Sequence, residues 1–143
     1  MSRFPLVVPV VAIAILSFVS CNEGRQAHYA TSEQAVVDRS FDRGWLPEVL
    51  RHGATNISEF HYVDAKYGRA SFDYSALLSE KVEKTCSKLP ASHRLRSPFV
   101  SWPEPGEKWT TSAGLASPGV SAFQCEDFTI LLNTENDKGI LWH

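Results

Sequence analysis

Four side chains could do chemistry if the fold brought them together: His52, Glu59, His61 and Asp64. An imidazole beside a carboxylate can move a proton, and such groups can share a divalent metal. Their spacing matches no metal-ligand signature, so neither metal nor cofactor is expected. His61 falls on a strand face as open to water as to a core, and a hairpin surface with incidental histidines is the plainer reading. No Gly-x-Ser-x-Gly, phosphate-cradling glycine loop or dinucleotide fingerprint occurs. Trp102 and Trp109 stand in a Pro/Gly-rich stretch and are the better binding candidates, because aromatic side chains on a partly rigid loop make anchors. The alternative for both is that they fold back to plug the core.

The compartment decides which chemistry is open to these residues. Arg3 supplies a short positive region and Leu6 to Val19 carries no charge, the pattern of a secretory signal. The run is short for a membrane span, which needs about 20 apolar residues. It ends in Phe18-Val19-Ser20-Cys21, followed by Asn22-Glu23-Gly24, and this resembles the lipobox of bacterial lipoproteins. That resemblance implies a signal peptide over 1–20 and a lipidated Cys21, anchored to the membrane rather than spanning it. Asn22 in place of Asp implies sorting to the outer membrane, facing the periplasm. Ordinary signal-peptide cleavage and an uncleaved anchor are the other readings of the same run.

Composition narrows the partners. Sixteen acidic against 14 basic side chains, with no Lys/Arg run, give no electrostatic footprint for nucleic acid. Three cysteines look odd for an exported chain. The count resolves if Cys21 carries lipid and Cys86 pairs with Cys125 in an oxidising compartment. Two unconnected buried thiols are the alternative.

The elements that must position these residues follow in chain order. Asn22 to Tyr29 has no periodicity and reads as a tether, so 21–30 is assigned to the lipidated Cys and tether and 31–143 to one domain. Thr31-Ser32-Glu33-Gln34 fits a capping box, with Ala35, Val37 and Phe41 on one face of a short helix. Trp45 to Leu50 reads as a further helical turn with Trp45 and Leu46 on the core. Ile57 to Asp64 and Arg69 to Tyr74 alternate and make an antiparallel hairpin. Ser75 to Lys88 has Leu78, Val82, Cys86 and Leu89 at helical spacing, capped by Asp73 or Ser75. Ser92 to Gly119 is irregular. Val120 to Glu126, Phe128 to Leu132 and Ile140 to Trp142 read as strands. The expected fold is therefore a small single α+β domain, an antiparallel sheet of two hairpins with one or two helices packed on it.

Arg43-Gly44-Trp45-Leu46-Pro47, followed by Ala54-Thr55-Asn56-Ile57 and a strand, is similar to a group of small bacterial exported proteins of the lipoprotein type. Late Cys125 and the terminal hairpin ending in Trp142 are similar too. The resemblance implies an address and a domain, not an activity. Address and architecture together lead us to expect a membrane-anchored envelope lipoprotein acting as a binding module for a protein or other envelope component. An inhibitor or immunity-type role is one form of this. A small periplasmic hydrolase using His52, Glu59, His61 or Asp64 is the competing expectation.

Overall fold

A computed structural model describes residues 24–63, 67–99, 102–103 and 108–143. The signal segment, Cys21 and Asp64 lie outside the described residues. Among the described residues there are seven strands: β1 (Gly24–Thr31), β2 (Thr55–Tyr62), β3 (Gly68–Asp73), β4 (Ser87–Lys88), β5 (Val120–Cys125), β6 (Phe128–Asn133) and β7 (Lys138–Trp142). They form one sheet in the order β1-β2-β3-β7-β6-β5-β4, with every neighbouring pair antiparallel. Helices α1 (Ser32–Val37) and α2 (Ala76–Thr85), with a 3₁₀ turn at Glu48–His52, complete the described regular elements. The domain is the expected α+β type.

Alternation in the strands sorts side chains onto two faces. One face carries Tyr29, Ile57, Ala70, Phe72, Leu141, Ile130, Leu132 and Phe123, and packs on Leu78 and Val82 of α2, Leu50 of the 3₁₀ turn and Phe41. This is the main core. Phe72 pairs across the strands with Gly139, where a Cβ would lie 2.2 Å from the Phe72 ring. The glycine is therefore the seat of the aromatic ring, and a side chain there would displace it. On the other face Ala122, Leu131, Ile140 and Trp142 make a smaller cluster beneath Leu89, Leu95, Phe99, Trp102 and Trp109.

Helix α2 starts where Ser75 Oγ accepts from Leu78 N–H, the cap expected of a serine at that position. At its other end Cys86 is bonded to Cys125 of β5. The disulfide thus ties the end of α2 to the strand it packs against. Cys86 itself is half-buried, while Cys125 is 4 % exposed.

Several expectations need correction. The stretch Gly24–Thr31, most of which was expected to be tether, is an eight-residue edge strand paired with β2 from Gly24↔Tyr62 to Thr31↔Thr55. Only Tyr29 along it is buried, so its sequence carries no apolar alternation to read. In α1 the capping box does not form: Thr31 makes no side-chain cap bond, and Gln34 Oε1 instead accepts from Ala30 N–H at 2.8 Å. Val37 is exposed rather than sharing the buried face of Ala35 and Phe41, because the helix ends there and the chain turns at Asp38–Gly44. Trp45 is half-buried, and of the expected pair only Leu46 enters the core. The long irregular stretch is not loose in its described parts. Leu95 N–H donates to Gly114 O, Thr111 N–H to Leu115 O and Ser117 N–H to Trp109 O, so this segment packs as a cover over the β5–β7 half of the sheet.

Candidate functional site

Two groupings of polar residues stand out, one on each face. On the core face β2 carries Ile57, Glu59 and His61 inward. Glu59 and His61 are 4 % and 2 % exposed, and Glu59 Oε1 lies 3.8 Å from His61 Nδ1. Tyr29, from the neighbouring strand, brings its hydroxyl to 3.1 Å from Glu59 Oε1, 2.8 Å from Ser40 Oγ and 2.5 Å from Asp38 Oδ2. A phenol has one proton to donate, and the closest acceptor is the Asp38 carboxylate. Asp38 is held below its usual range chiefly by that bond, and Arg25 pairs with it at 3.3 Å.

Glu59 is thereby left with weaker donors in a buried place. Burial pushes its carboxyl above the usual value, against the lowering effect of Tyr29 and Ser40. Burial likewise pushes His61 below its usual value, helped by the cations Arg25 and Arg43. Neither His61 ring nitrogen nor Glu59 Oε2 has a hydrogen-bond partner among the described residues. The Trp45 ring stacks on the imidazole with centroids 3.6 Å apart, and Arg43 and Arg25 lie over that indole at 4.6 and 5.4 Å. Trp45 and two guanidinium groups therefore roof the pair.

This cluster corrects the sequence reading of the strand face: Glu59 and His61 are brought together, but inside the protein. His52 is elsewhere, exposed at the end of the 3₁₀ turn, where it lines a hollow with Glu48, Lys81 and Glu126 beside the disulfide. Among the described residues no group of three or more His, Cys, Asp or Glu side chains could hold a metal ion.

The second grouping lies on the other face, over β1–β3, where the cover stops short. A trough of about 540 Å³ opens there, with Gln26, His28, Ser58, Phe60, Arg69 and Ser71 as its floor and Trp102 in its wall. It runs on into a hollow of about 340 Å³ that shares His28, Ser58 and Ser71 and is bounded by Trp109, Asn56 and Asp73. Both tryptophans singled out from the sequence thus border one continuous concave surface. Each is half-buried and also packs on the smaller cluster, so anchoring and exposure are combined in the same side chains.

Charge within the trough is uneven. Asp73 is occupied: Asn56 Nδ2 donates to it at 2.7 Å and Lys138 Nζ at 2.8 Å, which holds its carboxyl low. Asn56 reaches it from a left-handed backbone (φ 47°) at the irregularity in the β2–β3 register. Arg69 has no carboxylate partner among the described residues. Its guanidinium instead lies over the rings of Trp102, Phe60 and Phe99 at 4.8, 5.2 and 5.3 Å. His28 Nδ1 and Ser58 Oγ are 3.0 Å apart on the floor. The chemistry offered is a cation among aromatic faces, above small hydroxyl and amide groups.

The floor residues escaped the sequence reading, although their signal was present. Arg69, Ser71 and Asp73 alternate against Ala70 and Phe72, and such alternation reads as a wet face; only the fold shows that the wet face is concave. Gln26 and His28 belong to the strand read as a tether and gave no signal.

Fold and surface together define a small antiparallel α+β domain with one face sealed and half of the other open. Residues 23–73 match the family model described as the YbbD head domain, a stretch that takes in β1 to β3 and the trough floor. No curated protein and no solved structure matches the chain.

Proposed function

We propose that this protein is a membrane-anchored envelope lipoprotein, held through Cys21, that binds an envelope partner in the trough over β1–β3. The observation that carries the reading is Arg69, a cation with no carboxylate partner among the described residues, stacked among three aromatic rings at the edge of a polar-floored concavity. Trp102 and Trp109 are the anchors in this reading, and a partner with an acidic group beside an apolar surface is its complement. The anchor itself rests on the lipobox resemblance at Ser20-Cys21.

A photo-crosslinking residue at Ser71, on the floor, tests the reading in intact cells. The expected outcome is a discrete adduct in the membrane fraction that weakens at least tenfold when Arg69 is changed to Ala. The same residue placed at Glu83, exposed on α2 across the sheet, should give none. Adducts of equal yield from both positions, or none from Ser71, would end the proposal. The Glu59–His61 pair does not favour the hydrolase alternative, because a substrate would have to displace Trp45 to reach it.

A further inference from the structure

The sheet register places the chain's point of entry beside particular surface residues. Gly24 pairs with Tyr62, and His61 with Gly68, so the first residue of β1 and the β2–β3 turn share one end of the sheet. Val63 and Tyr67, the described residues closest to that turn on either side, are 65 % and 52 % exposed. Two of the five large exposed hydrophobic residues described, Val63 and Tyr67, are gathered there. Phe60, Tyr62, Tyr67, Pro98 and Phe99 add an aromatic hollow beside them.

Cys21 precedes Gly24 by three residues. An extended chain covers about 3.5 Å per residue, so a lipid on Cys21 would lie within about 10 Å of the start of β1. That distance is comparable with the depth, about 5–10 Å, to which interfacial segments enter the boundary between headgroups and acyl chains. No spacer remains to hold the domain off the bilayer.

We propose that this end of the sheet rests in the headgroup layer of the membrane that holds Cys21, with Val63 and Tyr67 as its contacts and Tyr62 beside them. The inference builds on the lipid-anchor reading above. Apolar side chains next to tyrosines, whose rings are apolar and whose hydroxyls are wet, suit that layer. The orientation is tilted. The acidic β5–β6 turn, Glu126–Asp127, is at the same end of the strands but five strand positions from β1, about 24 Å away at ordinary strand spacing, and the tilt lifts it clear. The trough then runs away from the bilayer, with Trp102 nearer to it and Trp109 farther.

The test couples the mature chain through Cys21 to a maleimide lipid in nanodiscs of phosphatidylethanolamine and phosphatidylglycerol that also contain a nitroxide-labelled lipid. Amide resonances report proximity by broadening. At least threefold greater broadening is expected at Val63 and Tyr67 than at Asp127 and Asp137. Equal broadening at both ends of the sheet, or broadening confined to Gly24 and Arg25, would overturn the proposal. A Val63→Asp, Tyr67→Asp variant, altered only at exposed positions, should lose the excess at Tyr62 while keeping its spectrum in solution; an unchanged pattern would equally overturn it. Because the lipid is attached chemically, an unacylated Cys21 in cells would remove the anchor reading without altering this measurement.

Discussion

His61 and Glu59 show how burial can undo the function that residue types suggest. An imidazole with no hydrogen-bond partner among the described residues at either nitrogen costs about 1–3 kcal/mol in an apolar place, which the Trp45 stack offsets only in part. Replacing His61 by Phe keeps a ring under Trp45 and removes the unmet polar atoms. We therefore expect His61→Phe to gain about 1 kcal/mol at neutral pH in urea denaturation. Below pH 6.5 the unfolded imidazole takes up a proton that the folded one resists, so wild-type stability falls as pH drops toward the folded pKa. Glu59 acts in the opposite sense. Its folded pKa is raised, so its contribution is lost as pH climbs from about 4.5 through the folded value, in both proteins alike. The difference between variant and wild type should be flat above pH 6.5 and widen below it. A histidine that was charged in the native state would give the reverse slope.

Between elements, the disulfide and α2 illustrate what a pattern can and cannot reveal. Counting cysteines suggested the Cys86–Cys125 bridge, and the helical spacing of Leu78 and Val82 put α2 against the sheet; both are present in the fold. Removing the bridge as Cys86→Ala, Cys125→Ala should cost about 2–4 kcal/mol in urea denaturation, since it frees a loop whose ends are 39 residues apart in sequence. A loss below 1 kcal/mol would mean that α2 docking alone fixes the geometry. The β2–β3 hairpin was legible because Arg69 to Tyr74 alternate by type. Strand β1 was not, because an edge strand of which one side packs on α1 and the other is open needs only Tyr29 to be apolar. For the same reason the trough could not be foreseen: Trp102 and Trp109 were visible as unusual residues, but His28, Ser58 and Ser71 become a floor only once three strands are laid side by side.

For the molecule as a whole, the lipid-anchor proposal makes a separable prediction. Cys21→Ser should move the protein from the membrane to the soluble fraction on carbonate washing, with the melting transition unchanged, because residue 21 precedes the first strand of the sheet. Retention of the variant in the membrane would assign attachment to the apolar segment over Leu6 to Val19 instead. No helix among the described residues is long and apolar enough to cross a membrane, so none of the described helices could serve as that attachment.

The order of the strands also bears on how the chain is made. β7, the last strand in sequence, is fourth across the sheet, and its pairing with β3 is what joins the two sets of hairpins. Asp73 meets Lys138 across that seam, 65 residues later. β1 to β3 can pair among themselves early in folding, yet the inner edge of β3 stays unpaired until β7, 65 residues later at Lys138, reaches it. Because β7 alone pairs with both β3 and β6, losing it would split the described sheet into two parts rather than trim one edge.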